Sequence, residues 1–131
     1  MKDDKKYVML SLDTEEFDVP REQGKRIPFE EQIRVSVEGT KKILDILKAE
    51  NIRATFYCTT MLLLNAPKLA ERIVKEGHEI ASHGCDHANP SRRQVIESKK
   101  ILEKEFGLKI HGYRQQLIRE THPCRRITDK Q

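Results

Sequence analysis

Apolar positions come in short bursts along this chain, and their spacing changes character from one burst to the next. Residues 7–12 (YVMLSL) are rich in β-type residues and predict a first strand over Tyr7–Leu12, closed by the acidic cluster DTEEFD. The following FDVPREQGKRIPF carries Pro20, Gly24 and Pro28, a composition that argues against regular structure. From about Glu30 to Glu50, Ile33, Val37, Leu44 and Leu47 recur at helical spacing with charged residues opposite. Gly39 within that helix costs about 1 kcal/mol relative to alanine. RATFYCT, residues 53–59, is β-branched and aromatic and predicts a second strand. Asn65 is the expected N-cap of a helix with Pro67 in its first turn, running through Leu69 and Ile73 to Gly77. Glu79–Ser82 predicts a brief third strand. Ser91 caps the next helix, which carries Val95, Ile96, Ile101, Leu102 and Phe106 and closes at Gly107. Lys109–Arg114 predicts a fourth strand. Strand and helix alternate three times before that last strand, which is the pattern of parallel βαβ units.

The periodicity stops after Arg114. Residues 115–131 are mostly polar and basic, so the expected division is one domain over 1–114 and a divergent tail over 115–131. Net charge sharpens the same boundary. Of the chain's +4, most resides in residues 114–131, which hold five basic and two acidic side chains. The remainder is nearly balanced and has no basic stripe interleaved with aromatics, which argues against a nucleic-acid face. No apolar run approaches the ~18 residues that a membrane span requires. The N-terminal MKDDKKYVMLSL places acids beside its lysines and leads directly into Asp13, a poor secretory signal, so a cytoplasmic location is expected. Cys58, Cys85 and Cys124 lack CxxC spacing and read as reduced thiols.

Functional residues in parallel α/β folds lie where strands end and loops lead into helices. Here the first strand ends at Asp13-Thr14-Glu15-Glu16, the third at His83-Gly84-Cys85-Asp86-His87, and the fourth at Tyr113-Arg114. Two imidazoles and one carboxylate, with a position left for water, form a recurring hydrolytic zinc arrangement. Asp13 and Glu15 are two residues apart and share a face in extended geometry. One can ligate a metal while the other acts on its bound water, whose pKa a divalent metal lowers to about 7. His78 stands at the opposite end of the third strand and reads as a packing or surface residue. Cys85 alternates with the histidines in a loop, a spacing that seldom turns every side chain toward one ion. Asp86 reads as a substrate-binding residue, as a partner that orients a histidine, or as a solvated acid. The long loop over residues 17–29 reads either as one wall of a substrate cleft or as a surface excursion.

These residues carry a resemblance. SLDTEEFD, RATFYCT, GHEIASHGCDH and HGYR make the chain, from Val8 to about Arg114, similar to polysaccharide deacetylases of the NodB-homology type, a carbohydrate esterase family. The resemblance implies an α/β fold, the N-terminal half of a distorted (β/α) barrel with about four parallel strands and three helices, followed by an irregular tail. It implies removal of acetyl or related acyl groups from sugar amides or hydroxyls by metal-bound water, with a carbohydrate as partner. By that resemblance Asp13 is the catalytic base, and Glu15 the acidic metal ligand where most members carry Asp, with Glu16 as the fallback. His83 and His87 are the histidine ligands, and Arg114 orients the base through a charge-assisted pair. The donor set favours zinc, while cobalt, manganese or iron fit similar ligands. The family's usual proline after the arginine is Gln116 here, and its later motifs, including a general-acid histidine, have no counterpart. His111 and His122 substitute poorly for that histidine. A truncated product with an open sheet edge is therefore expected. Two alternatives follow: a hydrolase of cyclic imides or purine-breakdown products on the same fold, or a non-catalytic fragment.

Overall fold

The computed structural model describes residues 4–86 and 91–115. His87 and the tail beyond residue 115 lie outside that set. Strands β1 (Ser11–Thr14), β2 (Thr55–Cys58) and β3 (Glu79–Ser82) run parallel in that spatial order. Their register places Leu12, Phe56 and Ile80 side by side, and Asp13, Tyr57 and Ala81 in the neighbouring row. Side chains alternate across a strand, so the two rows face opposite ways. The Phe56 row packs into the core with Leu44, Leu62, Leu69, Ile73 and Leu102 from the helices. The Asp13 row, with Ser11, Thr55 and Glu79, gives the other face a polar character.

Helix α1 (Val19–Glu22) is a single turn, and α2 (Phe29–Ala49) is the long amphipathic helix, burying Leu44 and Leu47. Helices α3 (Thr60–Asn65) and α4 (Pro67–Lys75) separate β2 from β3, and α5 (Arg92–Phe106) follows β3. Among the described residues, no helix is long and apolar enough to cross a membrane.

The architecture is the expected α/β arrangement of parallel strands and helices, with differences of detail. Strand β1 begins at Ser11 rather than Tyr7. Upstream of Thr55, whose N–H donates to Leu10 O, the Ala54 N–H turns to His78 Nδ1. The pairing of β1 with β2 begins at Ser11 and Thr55, and Tyr7, Val8 and Met9 are left largely exposed. The expected fourth strand is a single parallel bridge, Ser82 with Tyr113. Ser82 N–H donates to Gly112 O and Arg114 N–H to Ser82 O, but His83 N–H then donates to Cys58 O. Successive residues of a parallel strand bond to opposite neighbours, so the chain here meets residues 112–114 on one side and β2 on the other. Gly112 allows this approach, since a Cβ there would meet Ala81 Cβ at 3.4 Å and the Tyr57 ring at 3.5 Å.

Two helices were absent from the sequence expectation. Pro20 fits the first turn of α1, where its missing N–H is no loss. The run MLLL forms α3 because Thr59 Oγ1 accepts the Leu62 N–H as a cap while Leu62 and Leu63 are fully buried. Asn65 consequently ends α3, donating to Met61 O, and Ala66 rather than Asn65 is the N-cap of α4.

Candidate metal centre and adjoining cleft

The ends of β1 and β3, and the segment leading to Arg114, deliver a connected set of polar groups. Beyond β1 the alternation of faces continues: Thr14 and Glu16 are buried on the core side, and Glu15 points the other way. Thr59 Oγ1 donates to Glu16 Oε2 at 2.7 Å, tying that carboxylate to the start of α3. Glu15 reaches β3 instead. Its Oε2 lies 3.0 Å from His83 Nε2, and the His83 side chain is almost fully buried.

The proton on His83 follows from its other nitrogen. His83 Nδ1 stands 2.8 Å from the backbone oxygen of Arg114, a group that can only accept. Nδ1 therefore carries the hydrogen, and in the neutral ring Nε2 presents a lone pair. That lone pair faces a carboxylate oxygen. Two acceptors directed at one another are stable when a proton or a cation lies between them. An imidazole braced by a backbone carbonyl on its far nitrogen is the usual form of a metal-ligating histidine.

Arg114 joins this pair to Asp13. Its Nη1 donates to Asp13 Oδ1 at 2.8 Å and its Nη2 to Ser11 Oγ at 2.6 Å. The guanidinium lies over the Tyr57 ring, 4.1 Å from the ring centroid, which fixes its plane. One residue thus orients the histidine through its backbone and the aspartate through its side chain.

The sequence-derived residues divide as follows. Asp13, Glu15, His83 and Arg114 are brought together, and Glu16 is drawn aside to Thr59. His87 lies outside the described residues, and among the described ones no group of three or more His, Cys, Asp or Glu side chains is placed to hold a metal. His78 is at the opposite strand end, buried, with Nδ1 accepting from Ala54 N–H and its ring edge-on to Phe56. The Cys85 N–H donates to Gln94 Oε1, and burial pushes its thiol above the ordinary cysteine range. Cys58 is fully buried in the core, its thiol raised to about 12 by desolvation. The contribution of the Arg114 carbonyl has no sequence signature, because a backbone oxygen is common to all residues.

A cleft of about 820 Å³ adjoins this set. Glu16 and Asp86 line it on the site side, next in sequence to Glu15 and His87. Arg21, Lys25, Arg26 and Phe29 line it on the loop side. The loop over residues 17–29 is therefore a cleft wall. Phe17 N–H donates to Gln32 O, Lys25 N–H to Pro20 O, and the buried Gln32 side chain to Ile27 O, which hold the loop against α2.

Comparison with known proteins bears on what this arrangement does. The polysaccharide deacetylase family profile matches residues 2–121. The chain belongs to the polysaccharide deacetylase family. Carbohydrate deacetylases make up this family, they are generally metal-dependent, and some of its members are pseudoenzymes. A peptidoglycan-N-acetylglucosamine deacetylase of Bacillus cereus is 34% identical over 90 residues, which are 63% of this chain and 31% of that protein. Among solved structures, an allantoinase aligns over 80% of this chain and 44% of its own, at 22% identity and a TM-score of 0.61. A CE4 family pseudoenzyme from Bacillus anthracis aligns over 86% of this chain and 36% of its own, at 19% identity and a TM-score of 0.63. The chain spans less than half of each of these proteins. Both structural likenesses show the fold alone, and the same fold carries two different outcomes, so the individual residues have to decide between functions.

Proposed function

We propose that the chain acts as a metal-dependent deacetylase on an acylated carbohydrate. The observation that carries this reading is the linked set Glu15–His83–Arg114–Asp13, in which two acceptor atoms 3.0 Å apart face each other beside a carboxylate held by a guanidinium. Glu15 and His83 would hold the divalent ion, with His87 as the third protein ligand. Their donor chemistry suits zinc. Such an ion, when bound, lowers the pKa of water to about 7 and polarises an acyl carbonyl.

The chain's own residues supply the rest. Arg114 holds Asp13 through Oδ1 and directs the carboxylate as a unit, leaving Oδ2 to accept a proton from the attacking water. The Arg114 carbonyl keeps the hydrogen of His83 on Nδ1, so that Nε2 stays available as a donor to the ion. The cleft beside Glu16 and Asp86 gives the sugar a place to lie against the loop of residues 17–29.

Metal content and acetate release test the reading together. The expected result is about one divalent ion per chain and release of acetate from N- or O-acetylated oligosaccharides. Retention of the ion by a His83→Ala variant, or its absence from the unaltered protein, would sink the metal site. Activity on small cyclic amides instead of acetylated sugars would transfer the chain to the cyclic-imide class, and bound metal without turnover would make it a non-catalytic binding module.

A further inference from the structure

We propose that Ser98 and Gln94 of α5 are positioning residues for the candidate metal centre. Through Ser82 and Cys85 they fix the turn at Gly84 and, with it, the direction of the His83 side chain. The inference rests on the metal-ligand reading of His83 and adds to it a support from α5.

The hydrogen bonds around Ser82 and Ser98 have only one consistent direction. The Val95 carbonyl can only accept, so the single hydrogen of Ser98 Oγ, 3.2 Å away, points to it. The 2.6 Å contact between Ser98 Oγ and Ser82 Oγ is then filled by the Ser82 hydrogen. Ser82 Oγ keeps a lone pair for the Gly84 N–H, which donates to it at 3.2 Å. Both serines are buried, so solvent does not compete for these groups.

This relay bears on His83 through the backbone. The torsions of a residue are set by the two peptide planes that flank it. The plane before His83 is held at both ends, since His83 N–H donates to Cys58 O and Ser82 O accepts from Arg114 N–H. The plane after it contains the Gly84 N–H, and Ser82 Oγ holds that group. Gly84 then turns the chain in the left-handed region at φ 88°. Its oxygen accepts from Thr60 N–H, and the Cys85 oxygen accepts from Met61 N–H and Thr60 Oγ1. The Cys85 N–H donates to Gln94 Oε1. Both N–H groups of the Gly84–Cys85 turn are thus held by way of α5, and both carbonyls by the start of α3.

Gln94 and Ser98 are four residues apart and lie on one face of α5, where Leu102 continues the row into the core. A fully buried serine on a helix whose Ile96 is 61% exposed reverses the usual apolar preference. Such local reversals are expected where a fold serves a site.

Amide exchange and metal affinity test the two halves of this inference. In metal-free protein, Ser98→Ala should speed exchange of the Gly84 amide by about tenfold beyond any change at core amides such as Phe56. Zinc titration of folded protein against a competing chelator should show binding weakened by about tenfold in Ser98→Ala. Gln94→Met keeps the side chain's length but removes the acceptor for Cys85 N–H, and should weaken binding similarly. At a half-buried position it carries the test if Ser98→Ala folds poorly. Ser82→Ala should weaken binding too, and adding Ser98→Ala to it should change nothing further, because Ser98 acts through Ser82. Leu102→Val disturbs packing in the same row without touching the relay, and should leave metal affinity unchanged. A Gly84 amide that exchanges no faster in Ser98→Ala overturns the relay. Unchanged zinc affinity in Ser98→Ala and Gln94→Met, or an equal loss in Leu102→Val, overturns the positioning role and leaves the metal centre intact. Failure of the unaltered protein to bind zinc overturns the metal reading and this inference with it.

Discussion

His78 and His83 are five residues apart at opposite ends of β3, both buried, and both engaged by the backbone through Nδ1. Their protons nevertheless sit on different nitrogens. At His78 the partner is the Ala54 N–H, so Nδ1 accepts and the hydrogen is on Nε2, which finds no hydrogen-bond partner among the described residues. At His83 the partner is the Arg114 carbonyl, so Nδ1 donates and Nε2 offers a lone pair to whatever lies before Glu15. The backbone group that each ring meets leaves His78 with its hydrogen on Nε2 and turns a lone pair of the neutral His83 toward Glu15, which is the basis of the ligand role proposed for His83. Burial alone does not separate them.

The largest effects expected from this comparison concern the metal. His83→Ala should weaken divalent-metal binding by more than about 100-fold, beyond the usual effect of losing a supporting contact. His78→Ala should leave it unchanged. Metal content after dialysis, read for both variants side by side, breaks the comparison if the two behave alike. The carboxylates sharpen it further: Glu15→Gln should lower metal affinity, whereas Glu16→Gln should leave affinity in place and cost about 1 kcal/mol of stability through the Thr59 contact.

A smaller effect separates the two functions of Arg114. Arg114→Lys retains the backbone carbonyl that orients His83 but cannot grip Asp13 and Ser11 together. Metal content should be unchanged, and acetate release should fall by about 10- to 100-fold, with kcat affected more than KM. A parallel loss of metal would show that the side chain, and not the carbonyl, holds the histidine.

The contrast between the two histidines was only half legible in the sequence. Strand-end placement assigned His83 to the site and His78 to the far end, since β3 is flanked by recognisable signals. Ser91 and Gly107, which caps α5 in the left-handed region at φ 64°, bounded that helix for similar local reasons. What failed depended on long-range partners. The apolar run at Tyr7–Met9 reads as strand, yet pairing with β2 begins only at Ser11 and those three side chains stay largely exposed. Residues 109–114 read as a strand as well, yet among them only Tyr113 forms a bridge, with Ser82 across the sheet. Within the site, the choice between Glu15 and Glu16 depended on Thr59, 43 positions from Glu16, and no local pattern encodes that contact.

Next in size is the stability role of His78. His78→Ala removes the acceptor for a buried N–H and the edge-on contact with Phe56, and should cost about 1–3 kcal/mol in urea unfolding. His78→Asn should cost less, because its side-chain oxygen can replace Nδ1 as the acceptor.

The smallest effect is a dependence on pH confined to one end of the strand. Burial, assisted by Arg53 and opposed by Glu76, holds the folded-state pKa of His78 below its ordinary value of 6.5. The unfolded chain therefore takes up the proton first, and protonation favours unfolding. The contribution of a neutral His78 is present above about pH 6.5 and is lost as the pH falls below it. In metal-free protein, the stability difference between the unaltered chain and His78→Asn should accordingly narrow on going from about pH 8 to about pH 5. Groups common to both proteins cancel in that difference, including His83. A difference that stays flat across the range would mean that His78 is not held neutral by burial, and the proton assignment that distinguishes it from His83 would lose its basis.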